Sequence, residues 1–249
     1  MLGIIVQARL QSSRLPKKII LPFYKEKGIV ELLLENLRMN FNQYPLIIAT
    51  TTNPIDNKLV EIGKKLGIIV FRGDENNVLE RFIMAAEKSG IQKIIRVCAD
   101  NPLLNMNDLK YLIDDFENEE VDYIGFETSN NVPTIKTHYG LWAEGVTLNA
   151  LKKISNLTKD GQFLEHVTNY IYTNRLLFKQ KYLPIPETIE QKKLRLTVDT
   201  VMDFEVCKAI YNAICENKNI EDVSKLASFV WKNDDWVKKM EMQITLNSK

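Results

Sequence analysis

Five short, unbroken apolar runs recur along the first half of the chain: Leu2–Val6, Leu46–Ala49, Ile68–Phe71, Ile94–Val97 and Tyr123–Phe126. Each is followed by a polar loop and then, in most cases, a segment with helical spacing. Half-exposed strands alternate apolar with polar residues, and these runs do not. Each therefore suits a strand buried on both faces, in a parallel sheet with helices packed on either side. The pattern predicts an α/β fold with a doubly wound, mostly parallel, Rossmann-like sheet. Between the runs, Leu59, Ile62 and Leu66 form one apolar helical stripe closed by Gly67 at a C-terminal position. Asn107 is placed to cap a helix running to Phe116.

After Phe126 the rhythm changes. Residues 127–140 are polar, and residues 141–190 mix short strand patterns with a helix around Leu164–Asn174. This stretch, about 127–190, reads as an arm inserted into one domain that spans 1–249. Leu194–Val198 then predicts another core strand, followed by a helix from Val201 to about Glu216 and a last helix near Ile220–Lys232. With no internal repeat, low-complexity tract or Gly/Ser linker, a single domain with an arm is the simplest organisation.

Charge and composition exclude several classes. The 33 Lys plus Arg against 32 Asp plus Glu give a net charge of +1, which argues against a nucleic-acid partner held by bulk electrostatics. No apolar stretch approaches the roughly 18 residues of a membrane span. The first run reaches Arg9 at once, so it lacks the apolar region of a secretory signal. Cys98, Cys207 and Cys215 form no C-x-x-C pair, which predicts reduced thiols, a cytoplasmic location and no structural zinc.

In open parallel sheets, ligands bind beyond the carboxyl ends of the strands, so the loops after the runs are where chemistry is expected. Residues 9–18 of the first loop hold four cations, Arg9, Arg14, Lys17 and Lys18, around Ser12 and Ser13. Guanidinium forks and a lysine point charge suit a polyanion such as a triphosphate; the alternative is a solvated basic loop. After the fourth run, Asp100 stands at a strand end ahead of Pro102, as a hard-oxygen ligand for Mg²⁺ would. Asp199 stands at the end of the expected late strand. Thr200 and Asp203 have capping-box spacing, which assigns Asp203 to its own helix and leaves Asp199 outside the cap. For Asp100 and Asp199 a purely structural role stands equally open. Thr50–Asn53 and Arg72–Asp74 suit ordinary turns as well as nucleotide contacts. His138 and His166 are the only histidines, and they lie too far apart in sequence to suggest a His metal cluster or a catalytic triad. Neither a G-x-x-x-x-G-K-[ST] loop nor a G-x-G-x-x-G fingerprint occurs, so phosphate is held by other means.

Five segments occur in an order that resembles the CMP-sugar synthetase-type cytidylyltransferases. They are Gln7–Lys18, Phe71–Asp74, Ala99–Leu103, Glu165–Thr168 and Leu196–Thr200. The spore-coat polysaccharide branch is the most similar, within a family that includes the CMP-Kdo and CMP-acylneuraminate synthetases. The resemblance implies a nucleotidyltransferase fold of GT-A-like type with a dimerisation arm, and transfer of CMP from CTP to a small acidic acceptor with release of pyrophosphate. The acceptor would be a 2-keto sugar acid or a phosphorylated polyol or amino compound. It further implies that Arg9, Ser13, Arg14 and Lys18 cradle the triphosphate, that Ala8 offers backbone contacts to the base, and that Arg72 contacts the nucleotide. Asp100 and Asp199 would ligate Mg²⁺, while Trp142, Glu144 and His166 would lie at the acceptor. A homodimer is implied as well. Four positions depart from the family pattern: Lys17 and Ala99 replace glycines, Trp142 replaces an acidic residue, and Val201 replaces a proline. A GT-A-like glycosyltransferase and a catalytically silent nucleotide-binding subunit are the rival expectations.

Overall fold

Each of the five apolar runs is a strand in the computed structural model, which describes residues 1–216, 220 and 222–247. They are β1 (Leu2–Gln7), β2 (Leu46–Thr51), β3 (Ile69–Gly73), β4 (Lys93–Cys98) and β5 (Tyr123–Glu127). With β6 (Glu144–Thr147) and β7 (Gln180–Pro184) they form one seven-stranded sheet in the order β3-β2-β1-β4-β6-β5-β7. Only β6 pairs antiparallel with its neighbours; the other pairings are parallel.

The unbroken runs are explained by what covers the sheet. In β1, Ile4 and Val6 pack into one apolar cluster with α1 (Ile29–Asn40), α2 (Asn57–Leu66), α4 (Met106–Asn118) and α9 (Val201–Glu216). Ile5 points the other way, into a cluster with α3 (Val78–Lys88), α5 (Leu148–Leu157) and α7 (Asn169–Thr173). All three side chains are fully buried, and each contributes about 1.5–3 kcal/mol by leaving water. Gly67 closes α2 in the left-handed conformation, at φ 64°. The cap of α4 is Asn105 rather than the expected Asn107: its side chain accepts from the Asp108 amide at 2.9 Å.

Of residues 127–190, expected as an inserted arm, β6 and β7 lie in the main sheet. What departs from it is the helical excursion between them, α5, then α6 (Gly161–Glu165), then α7. The single helix expected over Leu164–Asn174 is broken between α6 and α7. The break turns the Thr168 hydroxyl into the interior, where it donates to Glu144 at 2.7 Å. The expected strand over Leu194–Val198 is buried but is not in the sheet. Its amides bond to loops instead: Leu196 and Thr197 to the His138 carbonyl, at 2.8 and 3.3 Å, and Val198 to the Asp100 carbonyl at 3.0 Å. Beyond α8 (Glu187–Glu190) and α9 come α10 (Val223–Trp231) and an unexpected α11 (Asp234–Leu246). Residue 221, within the last expected helix, lies outside the described residues. Among the described residues, no helix is long and apolar enough to cross a membrane.

Candidate active site

β1 and β4 lie side by side with Gln7 opposite Cys98. The chain leaves β1 toward β2 on one side while β4 lies on the other, so the carboxyl ends of this central pair open at a topological switch point. The loop after β1 is tied down from within. The Leu10 amide donates to the buried Asp56 carboxylate at 2.8 Å, and the Lys17 amide closes the loop on the Leu10 carbonyl at 2.8 Å. Lys17 adopts the left-handed conformation, φ 60° and ψ 16°, which is costly by about 1–2 kcal/mol for a residue with a Cβ. This is the position where the resemblance leads one to expect glycine. The turn aims Lys18, the next residue, across the strand ends.

There Lys18 gathers both aspartates. Its Nζ donates to Asp100 Oδ2 at 2.7 Å, to the Val198 carbonyl at 2.6 Å and to Asp199 Oδ1 at 3.4 Å. Burial works against the ammonium charge, but the Asp100 and Asp199 carboxylates outweigh it and hold the Lys18 pKa above its ordinary value. Arg14 reaches Asp199 Oδ1 at 3.1 Å, and Arg9 reaches Glu165 at the end of α6 at 3.2 Å. These residues surround a cleft of about 550 Å³ that Ala8, Ser13 and His166 also line, a volume in the usual range for a small-molecule site. Arg14, Lys18, Asp100 and Asp199, drawn from three segments distant in sequence, therefore share one cleft.

Three expected residues sit elsewhere. Arg72 does not line the cleft; its guanidinium binds the Thr51 and Asn53 carbonyls and the Asn57 side chain, each at 2.8 Å, and so braces the loop after β2. Glu144 is 2% exposed, and its carboxylate accepts from Arg96, Tyr123 and Thr168, which makes it a structural anchor rather than an acceptor ligand. Trp142 is buried and donates its indole N–H to Asp108 at 2.7 Å, though its ring lines a smaller neighbouring cavity.

The residue that sequence reading missed is Arg195. Its buried guanidinium pairs with Asp203 at 2.7 and 2.9 Å, reaches Asp199 Oδ2 at 3.3 Å and meets His138 Nδ1 at 2.7 Å. It orients Asp199 from behind while Arg14 and Lys18 hold it from the front. An arginine inside the mostly apolar stretch Leu194–Val198 was the signal. Asp203 also completes the expected capping box: the Thr200 amide donates to its carboxylate at 2.9 Å, and the Asp203 amide donates to the Thr200 hydroxyl at 3.2 Å.

Comparison with known proteins agrees with this architecture. A protein from Methanocaldococcus jannaschii described as uncharacterized is 39% identical over 202 residues, which cover 81% of this chain and 79% of that one. The spore coat polysaccharide biosynthesis protein SpsF of Bacillus subtilis is 32% identical over 236 residues, 93% of this chain and 94% of its own. Among solved structures, a cytidylyltransferase from Leptospira borgpetersenii superposes with a TM-score of 0.82 at 30% identity, over 95% of this chain and 96% of that one. A CMP-2-keto-3-deoxy-manno-octonic acid synthetase complexed with CTP shares the fold, with a TM-score of 0.63 at 13% identity over 85% and 98% of the two chains. The model of the family described as Cytidylyltransferase matches residues 3–239, nearly the whole fold that carries the cleft, and the chain belongs to that family of nucleotidyltransferases.

Proposed function

We propose that the cleft between β1 and β4 transfers CMP from CTP to a small acceptor carrying an anionic group, releasing pyrophosphate, in the synthesis of a surface polysaccharide. One observation carries the reading. The cleft is lined by three cations, Arg9, Arg14 and Lys18, and four carboxylates, Glu75, Asp100, Glu165 and Asp199, and each of those cations is already paired with a carboxylate. A site for a bare polyanion has no use for those acids. Interleaved charges of both signs suit a triphosphate that arrives with a divalent cation.

Asp100 and Asp199 fit such a cation. Both carboxylates lie within reach of a single positive charge, that of Lys18 Nζ. The described residues contain no group of three or more His, Cys, Asp or Glu side chains able to hold a metal. Mg²⁺ characteristically takes one or two protein carboxylates and completes its shell with water and substrate phosphates, so two are enough. When bound, the ion neutralises charge developing on the α-phosphoryl group and on the departing pyrophosphate.

The chain's own residues supply alignment and electrostatics. Lys18 and Arg14 exchange part of their hold on the aspartates for triphosphate oxygens. The exposed Arg9–Glu165 pair is worth about 0–1 kcal/mol, so Arg9 turns to phosphate at little cost. The backbone at Ala8 faces the nucleoside. An acceptor oxygen then forms its bond to the α-phosphorus in line with the α–β bridging bond, which breaks to release pyrophosphate.

Pyrophosphate release measured with CTP, Mg²⁺ and a panel of acceptors tests the reading. Asp100→Asn and Asp199→Asn lower kcat/KM by about a hundredfold or more while the proteins stay folded. Near-normal activity in both removes the metal site. Silence with every acceptor, together with no protection by CTP against unfolding, removes the activity.

A further inference from the structure

Gln7 closes β1, and the pleat of the strand sets its direction. Ile5 points into the cluster with α3, α5 and α7, and side chains two apart along a strand share a face. Gln7 therefore stands on that face of the sheet, and it lines the cleft together with Glu165 and His166. Ile94 of β4 and Val146 of β6 point into the same cluster, which places Arg96 and Glu144, opposite each other in register, on this face as well.

Hydrogen-bond chemistry sets the orientation of the Gln7 amide. Arg96 donates from Nε and Nη2 to the Gln7 side-chain oxygen, at 3.2 and 2.9 Å. A guanidinium has only donors, so the carboxamide oxygen faces it and the NH₂ group faces away. Arg96 is itself fixed, because its Nη1 donates to Glu144, which Tyr123 and Thr168 hold in turn. Among the described residues the Gln7 Nε2 donates to no group, and it is not one of the buried polar atoms left unsatisfied; it opens on the cleft. The result is a neutral donor of fixed direction with no acceptor of its own, in a cleft whose cations are each paired with a carboxylate.

We infer that Gln7 is a specificity-determining residue whose Nε2–H donates to an anionic oxygen of the acceptor, a carboxylate or phosphate oxygen. The inference rests on the cytidylyl-transfer reading above and adds to it a residue that meets the second substrate. The face on which Gln7 stands assigns it to the acceptor rather than to CTP. Ala8, and Ile19 next to Lys18, pack into the opposite cluster, whereas Gln7 shares its side with the break between α6 and α7. A fixed donor favours an anionic oxygen over an ammonium, whose N–H groups would meet it donor to donor.

The test compares Gln7→Glu and Gln7→Met with wild type, using CTP, Mg²⁺ and two acceptor probes, 2-keto-3-deoxy-manno-octonic acid and glycerol 3-phosphate. A carboxylate at position 7 pairs better with Arg96 than an amide does, but it turns a negative acceptor toward the substrate. Methionine offers neither donor nor acceptor to match. Gln7→Glu raises the acceptor KM at least about a hundredfold and Gln7→Met about tenfold, both with the CTP KM unchanged. Tm moves in the other order, falling in Gln7→Met and not in Gln7→Glu. A Gln7 that serves only to satisfy Arg96 gives the reverse, with Gln7→Met the more impaired of the two, and that result overturns the inference. So does an acceptor KM unchanged in both variants, a CTP KM that rises with the acceptor KM, or a protein that CTP stabilises but that uses neither probe. Failure of CTP to stabilise the wild-type protein is a different result, which removes the cytidylyl-transfer reading and this inference with it.

Discussion

Glu144 anchors the sheet through three donors: Arg96 at 2.5 Å, Tyr123 at 2.7 Å and Thr168 at 2.7 Å. These come from β4, β5 and the break between α6 and α7. Glu144→Ala leaves the Arg96 guanidinium, 7% exposed, facing the uncharged Gln7 amide oxygen at 2.9 and 3.2 Å as its remaining hydrogen-bond partner. Removing one side of a buried ion pair is destabilising by about 3–5 kcal/mol, because the other charge stays buried without compensation. Against a total stability of about 5–15 kcal/mol, that is a large fraction. For a chain of 249 residues it lowers Tm by roughly 6–20 °C. Glu144→Gln keeps one oxygen acceptor and loses less. Thermal unfolding followed by circular dichroism measures the shift, and steady-state kinetics on the folded fraction measures the acceptor KM. A Tm within about 2 °C of wild type, combined with a large rise in acceptor KM, would refute this reasoning and return Glu144 to the acceptor site.

Two further predictions follow from local geometry. Lys17→Gly removes a Cβ from the left-handed region while loosening the unfolded chain, and the balance raises stability by up to about 1 kcal/mol. A lower urea midpoint would show that the lysine side chain earns its strained place through contacts. Among the thiols, Cys215 is exposed and Cys207 is buried. Burial, with Asp203 nearby, pushes the Cys207 thiol well above its ordinary range, so the thiolate that reacts is absent at neutral pH. A thiol reagent at neutral pH should therefore label the exposed Cys215 and leave Cys207 untouched until the protein unfolds; rapid labelling of Cys207 in the folded state contradicts its burial.

Elements whose signal is local were legible in the sequence. All five apolar runs became strands because burial on both faces leaves no alternation to misread. β6 was not read as one of them: Glu144, Gly145, Val146 and Thr147 form no apolar run, and their place between β4 and β5 depends on the buried Arg96–Glu144 pair. Leu194–Val198 shows the opposite error. It is as apolar and buried as a strand, but its amides are satisfied by the His138 and Asp100 carbonyls, partners that no window of neighbouring residues can name. At the candidate site, the convergence of Arg14, Lys18, Asp100 and Asp199 on one cleft was legible from residue type and from the loops that follow the apolar runs. Arg72 and Glu144 were not, because a charged side chain braced inside the fold and one offered to a ligand look alike until their partners are known.

The bond from Lys18 to the Val198 carbonyl, at 2.6 Å, joins positions 180 residues apart. During synthesis the cationic turn leaves the ribosome long before the second aspartate has been translated, so a nascent chain carries only half of the proposed nucleotide site. On the proposed reading, recognition of the donor waits for this long-range closure. If that reading holds, nucleotide added to a refolding mixture favours those molecules that have already brought Lys18 and the Val198–Asp199 segment together.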